Sequence, residues 1–352
     1  MWLVILALVL ELMARATLTS PSRQVSDPEL GYVNQPNSWL FQAGEGMEHI
    51  RLNALGLNDP DRAPIGHGQR VLLVGDSMLL AHQVPRPRNY ASLVEQRTGI
   101  EMVNGGRDAM GPADWGAMME RLGPRLHPDY VALMMTRGDA FDLRDAHVRF
   151  VPDASAPLGE RVERQRPDRD AVADKLAPVL QQSALLTFLM RRARLYLDGV
   201  QHGSGWTGFV LRGFHAAPPG RDETLDFPIE ETTVHLAELM RLAQSGHRVM
   251  FISIPSFAYH SDGRIEFEPR SRVEQRIFPE AARRAGVPFV DLAPELMAIY
   301  RHDQRPFVGF DNSRIGTGHL NEYGHAVVAQ LIECHIRALM RQADIAATRV
   351  KN

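Results

Sequence analysis

The chain has 352 residues, of which 44 % are hydrophobic and 23 % charged, and a formal net charge of -3. That composition describes a globular protein able to bury a substantial core in one large domain with an insertion, or in two modest domains, and its slightly acidic balance gives no footing for nucleic acid. Cys334 is the only cysteine, which excludes intrachain disulfides and a cysteine-rich zinc site; the fourteen histidines show no HxH or HExxH spacing, so neither a metal nor another cofactor is called for.

Trp2 to Leu10 is an apolar run closed by Glu11 and Arg15. It is shorter than the roughly 20 residues that span a bilayer, and it has neither a positive leading segment nor a clear small-residue cleavage site. It reads as a signal anchor whose beginning is missing, an unusual secretory signal or a buried helix. Thr17 to Asn37 is polar and proline-containing without a sustained period, as a linker would be. Ile50 to Asp59, IRLNALGLND, reads as a loop packing on the domain that follows.

From Arg70 the pattern alternates. Strands are expected at Val71 to Val74, Glu101 to Val103, Tyr130 to Met135, Arg248 to Ile254 and Pro288 to Val290. Helices are expected at Tyr90 to Arg97, Ala113 to Leu122, Glu231 to Gln244, Val273 to Ala285 and Glu322 to Arg341. Alternation of this length implies βαβ units, hence an α/β fold: a three-layer α/β/α sandwich around a parallel sheet. Between Asp142 and Phe227 the alternation stops. Arg161 to Asp174 is dense in charge, Leu176 to Leu197 carries apolar residues at helical spacing with Arg191, Arg192 and Arg194, and Gln201 to Gly220 is rich in Gly and Pro. This reads as a helical insertion, a lid or a partner-docking surface; the arginines could meet an anionic group or simply solvate a helix face. The resulting division is 1–16, an apolar anchor or signal; 17–68, a linker and lead-in; and 69–345, the α/β domain, with 142–227 inserted. Cys334, within the last helical pattern, is expected to be a small buried hydrophobe.

Two stretches carry chemistry. RVLLVGDSM, Arg70 to Met78, is a strand buried on both faces that ends in Gly75-Asp76-Ser77. The turn either caps the next helix through Asp76 or Ser77, or presents Ser77 at the carboxyl rim, where sites in open parallel sheets are built. GTGHLNEYGHAVVAQLIECHIRAL, Gly316 to Leu339, places His319 in a loop ahead of the last helix. Together GDS and the late GHLNEYGH resemble the SGNH (GDSL-like) hydrolases, over about Gln69 to Leu339. The layout of apolar helix, polar segment and NxLGL lead-in is similar to membrane-anchored bacterial members.

The resemblance implies that Ser77 is a nucleophile and His319 its base. It further implies a serine esterase or O-acyltransferase acting on ester-linked acyl groups, such as acetyl, of a carbohydrate outside the cytoplasm. The protein would be held to the membrane on the periplasmic side by its N-terminal segment. VNGGRDAMG, Val103 to Gly111, resembles the family's second block, whose backbone N–H serves the oxyanion; counted from Asn104 that donor is Ala109, with Gly106 as the alternative. The third block departs from the family. Thr136-Arg137-Gly138-Asp139 puts Gly138 or Asp139 where an Asn side chain is expected, and Arg137 is the available substitute. The fifth block departs too, since Thr317 and Gly316 stand where the triad acid belongs; Asp311 or a backbone carbonyl is then the group to orient His319. With two positions altered, the alternative is a catalytically impaired SGNH fold that binds a glycan or a protein partner in a cell-envelope assembly. His325 reads as structural, and Ser253 and Ser256 as supporting residues of the rim.

Overall fold

The structure, a computed structural model, describes residues 2–17, 24–42, 44–66, 68–151, 155–163, 183–186, 189 and 224–351. The charge-dense run beyond Glu163, the Leu176 to Leu197 pattern apart from 183–186 and 189, the arginine cluster and the Gly/Pro-rich stretch lie outside the described residues.

Helix α1 (Trp2–Thr17) leads the chain, its apolar side chains Leu3, Leu6, Leu8 and Leu12 all exposed. Two hairpins follow. One pairs β1 (Gln24–Asp27) with β2 (Gly31–Asn34), and the other pairs β3 (Trp39–Gln42) with β4 (Glu48–Arg51). The stretch expected to be a linker therefore contains a hairpin. Its strands are too short to show a period, and its turn is held by Asp27, whose Oδ1 accepts from the Glu29 and Leu30 N–H groups.

The central sheet is built from β5 (Arg70–Gly75), β6 (Glu101–Gly106), β7 (Tyr130–Thr136), β10 (Val249–Ile254) and β13 (Phe289–Asp291). Their order is β13-β10-β7-β5-β6 and every pairing is parallel. These are the five strands expected from the sequence. The minor pairs are β8 (Arg149–Phe150) with β9 (Val162–Glu163) and β11 (Phe257–Tyr259) with β12 (Ile265–Phe267).

Alternation along the strands makes the three layers. Leu72, Val74, Leu133 and Phe251 face α4 (Trp115–Leu126), α6 (Ile229–Gln244) and α7 (Pro269–Ala285), meeting Trp115, Leu236 and Ile277. Val71, Leu73, Ala132 and Ile252 face α3 (Tyr90–Thr98), α8 (Ala293–Asp303) and α9 (Glu322–Lys351), meeting Val94, Leu296 and Val328. Strands buried on both faces need uninterrupted apolar runs, which is why these strands are legible as strings of Val, Leu, Ile and Met. Short helices α2 (Ser77–Leu80) and α5 (Asp139–Asp145) begin where β5 and β7 end, at the carboxyl rim. Cys334 departs from expectation: it lies on the exposed side of α9.

Candidate active site

The first element to fix is the turn after β5. Gly75 lets β5 end against β7, since a Cβ there would stand 2.9 Å from the Met134 Cβ. Asp76 then caps α2: its Oδ1 accepts from the Met78 N–H at 2.9 Å, and its Oδ2 accepts from the Thr136 hydroxyl at 2.6 Å. Burial raises the Asp76 carboxyl above its ordinary range, although the hydrogen bonds from Thr136 and Met78 oppose the rise. The turn is braced from below by Asn104, whose Nδ2 donates to the Leu79 carbonyl at 2.8 Å. It is braced from the lead-in by Asn58, whose Nδ2 donates to the Leu80 carbonyl at 2.8 Å. Ile50 to Asp59 does pack on the domain, and through Asn58 it packs on the helix that carries Ser77.

His319 comes from a loop tied at both ends. The Gly309 N–H donates to the His319 carbonyl at 3.0 Å, Val308 bridges to Leu320, and Asn321 caps α9 through the Gly324 N–H at 2.9 Å. The result sets His319 Nε2 2.9 Å from Ser77 Oγ. His319 Nδ1 lies 2.5 Å from Oε2 of Glu45, and the same oxygen accepts from the His319 backbone N–H at 3.1 Å. With Nδ1–H donating to the carboxylate, Nε2 is left as an acceptor facing the serine hydroxyl.

Glu45 is a residue the sequence reading missed. It sits at the tip of the β3–β4 hairpin. Gly46 beside it has φ +69, and a Cβ there would stand 2.1 Å from the Gln83 carbonyl oxygen. The tip is pinned to the histidine loop by Asn312, whose Oδ1 accepts from the Gly46 N–H at 2.9 Å. Gly318, at φ +88, is held to glycine by the same approach, because a Cβ there would fall 2.3 Å from the Glu45 carboxylate. Asp311, expected to orient His319, is exposed on that loop; the place at Nδ1 is filled by Glu45. Its one trace in the sequence is the GEG at the centre of WLFQAGEGMEHI, a carboxylate between two glycines, which by itself marks neither the hairpin nor the contact with His319.

Burial disfavours the His319 imidazolium, but the hydrogen bond and charge of Glu45, with Asp76 and Asp108 beyond, outweigh it and raise the His319 pKa. Burial would raise Glu45, yet its bond to His319 holds it below the usual range. Both shifts describe one favourable pair.

The expected oxyanion donors divide. Gly106 N–H is already spent on Asn104 Oδ1 at 2.9 Å, and its lack of a Cβ serves packing, since one would lie 2.2 Å from the Leu80 nitrogen. Gly138 N–H donates to the buried Glu274 Oε1 at 2.6 Å. Neither is open to a ligand. Asp139 is turned inward, its Oδ2 accepting from the Thr136 N–H at 2.8 Å, and burial together with the Asp76 charge lifts its carboxyl well above the ordinary range. Arg137 is engaged by Glu268 at 2.7 Å. Ala109 differs: it is exposed, has φ +48, and its N–H has no acceptor among the described residues. Its loop is held by the Tyr32 hydroxyl, which donates to the Asp108 carbonyl. The Ser77 N–H, in the first turn of α2, has no acceptor within the helix either.

His325 is fully buried, its Nδ1 accepting from the Tyr90 N–H at 3.3 Å, and burial pushes its pKa down to about 3. Ser253 is buried in β10, and Ser256 sits where that strand ends, its N–H donating to Ser271 Oγ at 3.0 Å. A groove of about 450 Å³ opens beside the Glu45 tip, lined among others by Gly46, Glu48, Gln83, Asp311, Glu322 and Tyr323.

No family model matches the chain, and no curated protein does. Among solved structures it is similar to an acetyl xylan esterase, at 14 % identity and a TM-score of 0.40, over 76 % of this chain and 99 % of that one. It is also similar to a lipase/acylhydrolase from Enterococcus faecalis, at 16 % identity and a TM-score of 0.37, over 77 % and 96 % of the two chains. A G-D-S-L family lipolytic protein from Desulfitobacterium hafniense is similar at 12 % identity and a TM-score of 0.37, over 76 % and 98 %. The chain is thus similar in structure to hydrolases of the SGNH/GDSL kind.

Proposed function

We propose that the protein is a serine esterase in which Ser77 is the nucleophile, His319 the general base and Glu45 the carboxylate that orients it. The observation that carries this reading is the unbroken hydrogen-bond chain from Ser77 Oγ through both ring nitrogens of His319 to Glu45. As Ser77 Oγ attacks an ester carbonyl, His319 Nε2 takes its proton and Glu45 stabilises the imidazolium. The backbone N–H groups of Ser77 and Ala109 are the donors available to the oxyanion. His319 then returns the proton to the leaving alkoxide, and water or a second hydroxyl resolves the acyl-enzyme, giving hydrolysis or acyl transfer.

A small acyl group on a carbohydrate is the substrate class proposed; the groove beside Glu45 sets Glu48, Asp311 and Glu322 alongside Met47, Phe310 and Ile315, a mixed lining that can meet both the polar and the apolar faces of a sugar ester. Placement on the periplasmic side of a membrane is proposed from the exposed apolar surface of α1. At about 24 Å that helix is shorter than a bilayer core, and no helix among the described residues is long and apolar enough to cross a membrane. The alternative, a binding scaffold in a cell-envelope assembly, draws on the Thr136–Asp139 turn, which aims no amide donor at the site.

A small activated ester, p-nitrophenyl acetate, decides between them. The esterase reading expects leaving-group release that Ser77→Ala abolishes and a transient acyl adduct on Ser77 by mass spectrometry. A residual rate unchanged by Ser77→Ala, with no adduct, would establish the scaffold.

A further inference from the structure

His82 follows α2 directly, after the left-handed cap at Ala81, and stands on the same rim as the Ser77–His319 pair. Its ring centre is 6.3 Å from that of His319, and its Nδ1 is 3.8 Å from Oδ1 of Asp108, the residue before Ala109. It therefore spans the gap between the base and the loop with the open backbone donor. The hydrogen-bond pattern also fixes its tautomer. Gln42 Oε1 accepts from the Gly44 N–H at 3.3 Å, so the Gln42 amide turns its NH2 toward His82 Nε2, 3.2 Å away. Nε2 is then the acceptor, and the proton of a neutral His82 is on Nδ1. That N–H is buried and has no hydrogen-bond partner among the described residues, since 3.8 Å to Asp108 is too long. A buried donor left unpaired is costly, and each such group in a folded protein calls for an explanation, a catalytic role among them.

We infer that the His82 Nδ1–H donates to the acyl oxygen as it becomes negative, supplying the side-chain donor that the Thr136–Asp139 turn lacks. Burial pushes the His82 pKa down, with the Asp108 charge pulling the other way and His319 adding to the fall, so the donor is the neutral ring. Neutrality is what the chemistry requires here, because a cation would repel the imidazolium forming on His319 at the same moment. This inference rests on the esterase reading above.

The test uses the full chain and p-nitrophenyl acetate, with thermal melts to certify folding. His82→Phe is expected to lower kcat about 10²- to 10³-fold with KM changed less than about threefold, as loss of one oxyanion donor does. His82→Asn, whose amide can place an N–H where Nδ1 stood, should recover about tenfold or more of that loss, whereas His82→Gln, which reaches the Nε2 position, should not. If His82→Phe does not fold, the Asn and Gln pair carries the comparison. Turnover that Ser77→Ala abolishes but His82→Phe leaves within about threefold of native overturns this inference alone. Equal losses in folded Asn and Gln variants also overturn it, leaving His82 a packing residue. Absence of any Ser77-dependent turnover overturns the esterase reading and this inference with it.

Discussion

Glu45 Oε2 and His319 Nδ1 meet at 2.5 Å across 274 positions of sequence, joining a hairpin tip outside the sheet to the loop before the last helix. The contact fixes the tautomer and orientation of the imidazole and compensates its charge, the two things required of the acid in such a chain of three. Glu45→Ala or Glu45→Gln is expected to lower kcat by about 10²- to 10⁴-fold with p-nitrophenyl acetate. Asp311→Ala, an exposed site off this line, should stay within about twofold of native. Steady-state kinetics of the variants check the assignment, and the opposite ranking would return the orienting role to Asp311.

The same pair predicts a pH profile. In the proposed mechanism His319 acts as a base only when Nε2 is unprotonated, and its pKa is raised above 6.5. The rate kcat/KM should therefore rise with pH to a plateau, with a midpoint above 6.5. Removing the Glu45 charge leaves burial as the dominant influence, which disfavours the imidazolium. In Glu45→Gln the midpoint should move to lower pH even as the plateau falls. A pH–rate series on both proteins reads the shift directly.

Beneath the turn after β7, Glu274 is a buried acid that accepts from the Gly138 and Ala140 N–H groups, and burial lifts its pKa from 4.5 to about 7. The folded protein then holds a proton on Glu274 that the unfolded chain releases near pH 4.5. Stability falls as pH rises from there to about 7 and stays lower above it. At about 1.4 kcal/mol per pKa unit, the loss is on the order of 3 kcal/mol. Glu274→Gln keeps an acceptor for both N–H groups without an ionisable proton. It should flatten that slope and raise the urea midpoint at pH 8 relative to native, while changing it little at pH 4.5. Parallel denaturation curves at the two pH values measure the difference.

What the sequence discloses about this fold follows from where each determinant is local. The five strands are legible because burial on both faces writes itself into consecutive residues, as in Val71 to Val74 and Tyr130 to Met135. Ser77 and His319 are legible because each sits in a motif that also builds its own turn. The availability of an N–H is not local. Gly106 and Gly138 look free in sequence, yet their acceptors, Asn104 Oδ1 and Glu274 Oε1, are set by side-chain direction and by a helix 136 positions away. Glu45 is hidden for the same reason. Nothing in GEG distinguishes a solvated hairpin tip from one pressed against a histidine, and strands of four residues are too short to announce the hairpin.

The hairpin tip also sets the order in which this site comes into being. A chain that folds as it is made has β3 and β4 early, the Ser77 turn soon after, and His319 only once the rest of the sheet has been laid down. The acid must wait for the imidazole it will hold, 274 positions further along the chain. During synthesis the three residues can meet only after the chain has passed His319, so activity of the proposed kind would report a chain in which the hairpin tip has docked on the His319 loop.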